Sequence, residues 1–518
     1  MGGCSCGSVR GNGEGGVARS EPASRSGIVR PTACDVQRSW SRQREARGAM
    51  SSVRDFGAVG DGRHDDSDAF EHALDQGDGL LVLPRGDYRV TRSIRIDLDR
   101  RRRSGIDGSG GTARIVMDGP GPALLFTGTH GGTADPRTVS PSVQDVERMP
   151  TVRHVEIVGR HPEADGIRLE GVMQPTITGV LLRSLRHGIH LTGRARNVLV
   201  SHSHIYRNTG VGIFLDHCDL HQTVIASNHV SYCRLGGIRV EGGGIRNLQI
   251  TGNDIEYNTN ASLAVPDGDE PTAEIFIDCR DGSIREGTIC SNTIQATATP
   301  GGANIRFIGA GAAGGRQVGM WTIAGNLVGS QTTNIHLTSA LGFAITGNFL
   351  YSGHARTILV EDSRALTLGA NCVGHNEDYG TRGLSPGIRL VDCQDVAISG
   401  LVIQDLPAGR NTVEGAVETT KEALVEVVRC RRISLSGCQL LDGVPAGLLV
   451  EDSDDVLVTG CTILDGRAEP LMEHAIRWRS SGGPPRGCGV HACRLENLDA
   501  PAGVDASANV IGRSASDR

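Results

Sequence analysis

One short unit recurs along the chain: an apolar residue, two mostly small residues, asparagine or a substitute, a variable residue and a second apolar residue. Successive asparagine positions are separated by 25, 39, 34, 22, 23, 67 and 23 residues, and the longest step divides at Leu401 into 30 and 37. A period near 22–25 residues, lengthened by insertions, is typical of a solenoid. The copies are IASNHV (225–230), ITGNDI (250–255), ICSNTI (289–294), IAGNLV (323–328), ITGNFL (345–350), LGANCV (368–373), LSGCQL (435–440) and VTGCTI (458–463).

The apolar positions of each unit alternate with a period of two and are mostly β-branched, as in Leu248, Ile250 and Ile255, which favours strands over helices. A second short strand precedes each unit, and no intervening segment has the period of a crossover helix. We therefore predict an all-β fold, a single-stranded right-handed parallel β-helix whose coils stack about 4.8 Å apart. The preceding strands include GIRLEG (166–171), GIHLTG (188–193), GIFLDHC (212–218), GIRVEGG (237–243) and EIFIDC (274–279).

The composition suits one elongated, turn-rich domain, because 72 of the 518 residues are glycine. We expect a parallel β-helix catalytic domain over 50–500. Residues 1–49 lack hydrophobic periodicity and are predicted to be disordered or a mis-assigned N-terminal extension. Residues 501–518 are predicted to form a flexible C-terminal tail.

The charge and the cysteines limit the expected partners and compartment. A formal net charge of −7 gives no reason to expect nucleic acid, and no apolar run approaches membrane-spanning length, so we expect no membrane partner. Most of the 14 cysteines occupy repeat positions, where reduced thiols act as small apolar fillers. No CxxC pair indicates a metal site, and a cytoplasmic location is expected, although export without a secretory signal stays open.

The segment 53–74, VRDFGAVGDGRHDDSDAFEHAL, predicts a strand, a glycine-rich turn and an amphipathic helix capped near Asp66 or Ser67. Such a short N-terminal helix can cover the open end of a solenoid. The segment closely resembles the opening of pectate-lyase-superfamily β-helix proteins, which include polygalacturonase-like glycosidases, polysaccharide lyases and phage tailspike depolymerases. The matching positions are 55–62, Asp65, Asp66, Ser67, Ala69 and Phe70.

The resemblance implies a carbohydrate-active enzyme with an oligo- or polysaccharide substrate, and it is compatible with a homotrimer. Beyond the opening segment, the resemblance extends over the coils to about residue 497, but there it consists only of the repeat pattern. The catalytic motifs of the polygalacturonases do not occur in order, so no catalytic residue can be transferred from that family.

Three acidic residues occupy one outward column when the first strands are aligned by their apolar positions: Asp216, Glu241 and Asp278. Like charges stacked about 4.8 Å apart repel, so one of them should have a raised pKa unless cations intervene. One protonated and one ionised carboxyl group is what glycoside cleavage requires. Adjacent rungs suit a retaining pair and alternate rungs an inverting pair, and the sequence does not choose between them.

A second polar group lies near the asparagine turns. In the register of these turns, His204, His229 and Asp254 stack on successive coils, and Tyr206 stacks with Glu256. A histidine beside a carboxylate can act as acid or base near neutral pH. We predict Glu256 as a further catalytic residue, and as substrate-binding residues His204, His229, Asp254, Asp219, His221, Arg239, Arg280 and Tyr206.

The leading functional prediction is a glycoside hydrolase in which Asp216 and Glu241 form the best pair. A polysaccharide lyase or transglycosylating lyase-type enzyme is the alternative. In a lyase the acid column could bind Ca²⁺, with Arg280 or Arg239 as the base; otherwise we expect no cofactor. A non-catalytic glycan-binding or tail-fibre-like β-helix is the alternative from a different class.

Overall fold

The computed structural model of the chain describes residues 51–258, 273–311, 318–354, 356–379, 386–406 and 421–512. The chain divides into two units, Met1–Ala49 and Met50–Arg518. The predicted disordered or mis-assigned extension, 1–49, lies outside the described residues.

Strands make up nearly all of the regular structure, and they are numbered in chain order. Strands β1–β22 are Ser51–Ser52, Asp61–Asp65, Leu80–Val82, Gly86–Val90, Ile94–Asp97, Gly105–Asp107, Ala113–Met117, Gly121–Thr127, Thr151–Arg153, Val155–Gly159, Ala164–Met173, Thr176–Thr178, Leu181–Arg183, Ile189–Ser201, His204–Tyr206, Ile213–Ala226, His229–Ser231, Ile238–Thr251, Asp254–Glu256, Ala273–Cys290, Thr293–Gln295 and Ala303–Gly309. Strands β23–β44 are Val318–Ala324, Leu327–Gly329, Thr333–Thr338, Leu341–Thr346, Phe349–Tyr351, Arg356–Glu361, Arg364–Gly369, Cys372–Gly374, Ile388–Val391, Gln394–Ser399, Val402–Gln404, Val425–Val428, Arg431–Ser436, Gln439–Leu441, Ala446–Glu451, Asp454–Thr459, Thr462–Leu464, His474–Arg479, Cys488–His491, Arg494–Leu495, Val504–Ser507 and Val510–Ile511.

Helices are few and short in the described part of the chain. They are α1 (Ser67–Gln76), α2 (Leu98–Arg101), three 3-10 turns at Val53–Phe56, Pro136–Thr138 and Glu377–Tyr379, and a π-helical turn at Val143–Glu147. None of the helices among the described residues is long and apolar enough to cross a bilayer.

Each coil of the middle region has three strand segments, all paired in parallel with the coils before and after. In the coil that contains Asp216, the strand β16 supplies the first and second segments and bends between them, and β17 supplies the third. It pairs with β14 and β15 on one side and with β18 and β19 on the other. The predicted parallel β-helix is therefore confirmed.

The interior is filled by the alternating apolar residues of every strand. Ile213, Leu215 and Ile225 of one coil, for example, are fully buried above their counterparts in the next. The residues between them point outward, so side chains on the surface also form columns that run along the solenoid.

The asparagine column is a ladder of hydrogen bonds. Oδ1 of Asn253 accepts bonds of 3.0 Å from both the backbone N–H and the side-chain Nδ2 of Asn228. Nδ2 of Asn228 also donates to the carbonyl oxygen of Val200 at 3.1 Å, so each buried amide is satisfied. The same pattern continues through Asn292, Asn326, Asn348 and Asn371.

Cysteines continue the ladder towards the C-terminus, as predicted for two of them. The backbone N–H groups of Cys438 and Cys461 donate at 3.4 Å to the Sγ atoms of Cys461 and Cys493. Oδ1 of Asn509 then accepts from the N–H of Cys493 at 2.9 Å. These last two members were not among the predicted copies, although VHACRL (490–495) and ASANVI (506–511) have the spacing of the unit.

The N-terminal helix forms as predicted, but its capping differs. Helix α1 buries Ala69, Phe70, Ala73 and Leu74 against the core of the first coils. Asp66 makes no side-chain cap bond, because its carboxylate accepts the N–H groups of residues 59 and 60 in the glycine-rich turn at 2.7 and 3.1 Å. Asp66 of the opening motif therefore connects the glycine-rich turn to the start of the helix.

The coils also extend beyond the predicted end. β43 and β44 lie within 501–518, for which a flexible tail was predicted, and they pair in parallel with β41 and β42. This last coil was missed because its residues are small and polar and leave little apolar alternation to detect.

We predict that replacing Asn292 by alanine strongly destabilises the solenoid. The change removes the acceptor of two bonds of 3.0 Å from Asn253 and leaves buried donors unpaired. The expected loss is about 2–5 kcal/mol in the free energy of unfolding, measured by urea denaturation. Thr293→Ala, at the next and outward-facing position, is the control and should cost less than about 0.5 kcal/mol. Equal losses for the two variants would contradict a structural role for the ladder.

Candidate functional site

The three predicted acids lie in one column on the first-strand face, which we define as the outward side of residues 189–192, 213–216, 238–241 and 275–278. Asp216 is paired in register with Glu241, and Glu241 with Asp278. Their side chains are 31%, 26% and 14% exposed, respectively. The predicted register is confirmed, and all three carboxylates are partly shielded from water.

Arginines neutralise two members of the column. Arg239 bonds to Glu241 two residues on, and its guanidinium lies 4.7 Å from the ring centroid of Phe276. Nε of Arg280 donates to Oδ1 of Asp278 at 3.0 Å. These cations reduce the repulsion that the sequence predicted between the stacked acids.

Asp216 has a different environment, because two histidines bind its carboxylate. Nε2 of His190 donates to Oδ2 at 3.1 Å, and Nδ1 of His217 donates to Oδ1 at 2.7 Å. Burial alone would raise the pKa of Asp216, but the bonds from His217 and His190 outweigh it and hold the pKa below its usual value. Asp216 is therefore not a member of the column with a raised pKa, and it is ionised near neutral pH.

Other acids of the same column carry only one partner each. Glu170 bonds to Arg168 at 2.6 Å, Glu361 to His336 at 2.8 Å and Glu451 to Arg479 at 2.7 Å. A single ion pair thus recurs along the solenoid as a structural feature. The double histidine contact distinguishes Asp216 from these acids.

His190 is a buried member of the site that was not among the residues predicted from the sequence. Its ring stacks on Phe214, with centroids 5.1 Å apart and planes 12° apart, and its side chain is 9% exposed. Burial lowers its pKa, although the bond to Asp216 opposes this. His190 is therefore a neutral donor to Asp216. The sequence feature that could have indicated this packing is the register, because His190 pairs with Phe214 of the next coil.

His217 occupies a corner position that neighbouring coils give to glycine. The residues that follow the acid column in the coils around His217 are Gly171, Gly193 and Gly242, with φ of 63°, 68° and 57°, and His217 has φ 46°. Further along the solenoid the same position is held at positive φ by Ser339, Asp362, Asp392, Arg429 and Asp452. A non-glycine residue in this region costs about 1–2 kcal/mol. The bond to Asp216 raises the pKa of His217, and the charges of Asp216, Asp281 and Glu241 add to this effect.

A second group of predicted residues lies on the third-strand face, the outward side of β15, β17, β19 and β21. His204, His229 and Asp254 are in register, and the rings of the two histidines stack 5.0 Å apart. Nδ1 of His229 donates to Oδ2 of Asp254 at 3.0 Å. Tyr206 occupies the other column of this face, in the coil two before Glu256.

Glu256 is the predicted catalytic residue that has a raised pKa. Burial is the largest cause, and the charge of Asp254 and a hydrogen bond with it add to the shift, while His229 opposes it. Asp254 and Glu256 are therefore a carboxyl pair in which Glu256 tends to hold the proton.

Asp219 and His221 lie at the corner between the first and second segments. Nη2 of Arg194 donates to Asp219 at 2.8 Å. Burial lowers the pKa of His221, and Arg196, Arg246 and Arg194 lower it further against the opposing charge of Glu286. The residues predicted as one site thus occupy two faces and a corner of the coil. The first-strand face carries Asp216, Glu241, Asp278, Arg239 and Arg280.

A search for metal-binding groups covered the part of the chain that the structure describes. It contains no cluster of three or more His, Cys, Asp or Glu side chains suited to a metal ion.

The pKa of Glu256 leads to a prediction about stability. Because the folded pKa is raised, the contribution of Glu256 to stability is present below the pKa of the unfolded chain and is lost as pH rises through the folded pKa. Glu256→Gln should therefore raise the thermal unfolding midpoint relative to wild type at neutral pH, and the difference should disappear in acid. The measurement is a series of thermal melts from pH 3 to pH 8.

The control for that series must not add a charge, which excludes Gln295→Glu at the position in register with Glu256. Thr293→Ala, on the next coil of the same face, should differ from wild type by a pH-independent amount. A Glu256→Gln advantage that does not depend on pH would contradict the assigned protonation.

Comparisons with known proteins concern the fold and the N-terminal segment. Residues 150–276 match the family model of the right handed beta helix region, and residues 50–106 match the model described as rhamnogalacturonase A/epimerase, pectate lyase-like. Alginate lyase 7 of Azotobacter vinelandii is 50% identical over 44 residues, which are 8% of this chain and 5% of that protein.

Two solved structures are similar to this chain. Tailspike protein 3 of bacteriophage CBA120 is 15% identical with a TM-score of 0.50, over 88% of this chain and 64% of that chain. The A-module of the mannuronan C-5 epimerase AlgE4 of Azotobacter vinelandii is 17% identical with a TM-score of 0.42, over 70% of this chain and all of that module. The chain thus spans less than two thirds of the tailspike and of the lyase. Its N-terminal segment is pectate-lyase-like and its coils are a right-handed β-helix region, which confirms the resemblance to the pectate-lyase superfamily.

Proposed function

We propose that the protein is a carbohydrate-active enzyme that hydrolyses glycosidic bonds on the first-strand face. The observation that carries this proposal is the pairing of Asp216 and Glu241 on consecutive rungs, each partly exposed and each held by a cationic or hydrogen-bonding partner. Neighbouring parallel strands lie about 4.8 Å apart, and the two carboxylates project from adjacent rungs. That spacing is close to the roughly 5–5.5 Å of carboxyl pairs that flank a scissile glycosidic bond.

The electrostatics of Asp216 support this role. Glycoside cleavage passes through a transition state that resembles an oxocarbenium ion, which an ionised carboxylate stabilises. The two histidine bonds keep Asp216 ionised near neutral pH and hold it in one orientation. A fixed carboxylate requires little reorganisation as positive charge develops.

The arginines of the face support an acidic or hydrogen-bonding sugar as the substrate. Arg239 and Arg280 lie beside the acid column and are partly exposed, at 19% and 49% of their side chains. Guanidinium groups bind carboxylates and sugar hydroxyls in planar, two-point contacts. With three tryptophans and six tyrosines in the chain, we propose a short oligosaccharide held by such contacts.

Elimination is the second candidate reaction. One relative is named an alginate lyase, and the arginines of the first-strand face could neutralise a uronate carboxylate. Ca²⁺ would serve the same purpose in such a reaction, because it acidifies the proton that the base removes. A glycan-binding protein without catalysis is the alternative that would form no product.

We also propose a reducing compartment. All 11 described cysteines are free, and most are buried in the interior columns, which supports the expected cytoplasmic location. The homotrimer stays a prediction.

The proposed chemistry predicts a loss of activity on two conservative changes. Asp216→Asn and Glu241→Gln should each lower kcat on a cleaved oligosaccharide by about 10²–10⁴-fold, with little change in the thermal unfolding midpoint. The assay screens an oligosaccharide library with the full chain and identifies products by mass, since hydrolysis adds one water whereas elimination leaves an unsaturated sugar.

Glu361→Gln is the matched control, because Glu361 occupies the same column and also bonds to a histidine, far along the solenoid. It should retain wild-type activity. Wild-type protein that binds a glycan but forms no product would support the binding alternative, and full activity in Asp216→Asn would refute the proposed site.

A further inference from the structure

The orientation of His217 leaves one ring nitrogen available for proton transfer. Nδ1–H donates to Oδ1 of Asp216 at 2.7 Å, which fixes the ring orientation. The opposite nitrogen, Nε2, points away from this bond, and the side chain is 57% exposed. Nε2 lies 3.9 Å from Oδ2 of Asp281, a side chain that is itself 92% exposed. An imidazole that bonds to a carboxylate through one nitrogen and is open to solvent at the other has the arrangement of a general acid or base.

The backbone indicates that histidine at this corner is not required by the fold. Three other coils place glycine here at similar positive φ, and glycine adopts that conformation without strain. In the next coil, a Cβ atom on Gly242 would lie 2.7 Å from Cδ2 and 3.0 Å from Nε2 of His217. The coil that follows thus has no side chain where the imidazole of His217 lies.

The surrounding charges favour the protonated ring. The carboxylates of Asp216, Glu241 and Asp281 face His217, and its pKa is raised. His190, on the other oxygen of Asp216, is buried and has a lowered pKa. Asp216 therefore has a histidine with a lowered pKa on its buried side and a histidine with a raised pKa on its exposed side.

We propose that His217 is the catalytic proton donor of the first-strand face and that Asp216 is the residue that positions it. This inference rests on the proposed function and changes the role of Asp216 from stabilising the transition state directly to positioning His217. His190 in turn holds Asp216 from the buried side.

The cleavage step balances with the groups on this face. The proton on Nε2 of His217 passes to the glycosidic oxygen as the bond from that oxygen to the anomeric carbon breaks. The oxygen of a water molecule bonds to the anomeric carbon, and the proton that this water loses goes to the carboxylate of Glu241. Nothing is oxidised or reduced, and solvent returns the proton from Glu241 to His217 after product release.

The experiment uses His217→Gly, because glycine is the residue that neighbouring coils place at this backbone position and the variant is expected to fold. On an oligosaccharide with a sugar leaving group, kcat should fall by about 10²–10⁴-fold. On an aryl glycoside whose leaving group needs no proton, the loss should be below about tenfold. Imidazole added to the buffer should restore part of the activity on the oligosaccharide.

The pH profile tests the positioning role of Asp216. In the wild type, the alkaline limb of kcat/KM reports loss of the proton from His217. Asp216→Asn removes the carboxylate that raises this pKa, so the limb should move to lower pH. His64→Ala is the control, because His64 and Asp61 form another exposed histidine–aspartate pair, at the N-terminal end of the solenoid.

The outcomes separate the two proposals. If the wild type cleaves glycosides and His217→Gly keeps both kcat and the alkaline limb, His217 is not the donor and the proposed function stands. Equal losses on both leaving groups, without rescue by imidazole, would also overturn the role of His217. If the folded wild type cleaves no glycoside, the proposed function fails, and the inference fails with it.

Discussion

Register is the constraint on which the rest of this structure depends, and the asparagine ladder maintains it. Every ladder amide bonds to the coil before or after it, with both its oxygen and its nitrogen in use, as between Asn228 and Asn253. A slip of one residue would break these bonds and turn every apolar side chain outward. The interior therefore specifies which surface residues share a column.

Stacked columns create an electrostatic problem on the surface, which the protein solves locally. Acids about 4.8 Å apart cannot all remain ionised without nearby cations or hydrogen-bond donors. Arg239 and Arg280 serve Glu241 and Asp278, whereas Asp216 relies on His190 and His217. Imidazoles change their charge near neutral pH and guanidinium groups do not, so the partners of Asp216 can respond to pH, whereas those of Glu241 and Asp278 cannot.

The sequence predicted which residues share a surface column. It did not predict which side chains of neighbouring columns contact each other. The alignment of Asp216, Glu241 and Asp278 followed from the apolar pattern, and so did that of His204, His229 and Asp254. The depth of His190, however, depends on its packing against Phe214 in the next coil. Likewise, the raised pKa of Glu256 depends on its burial and on its hydrogen bond with Asp254, which the sequence does not specify.

By itself, the sequence determined the fold, the ladder, the N-terminal helix and the membership of each surface column. It could do so because a parallel solenoid repeats one geometry, so that spacing along the chain converts directly into position. Only the tertiary structure decided that the predicted site residues are divided between two faces and a corner. It also decided which side chains bind Asp216, because rotamers and burial depend on the neighbouring coils. The role assigned to His217 arises from that second kind of information.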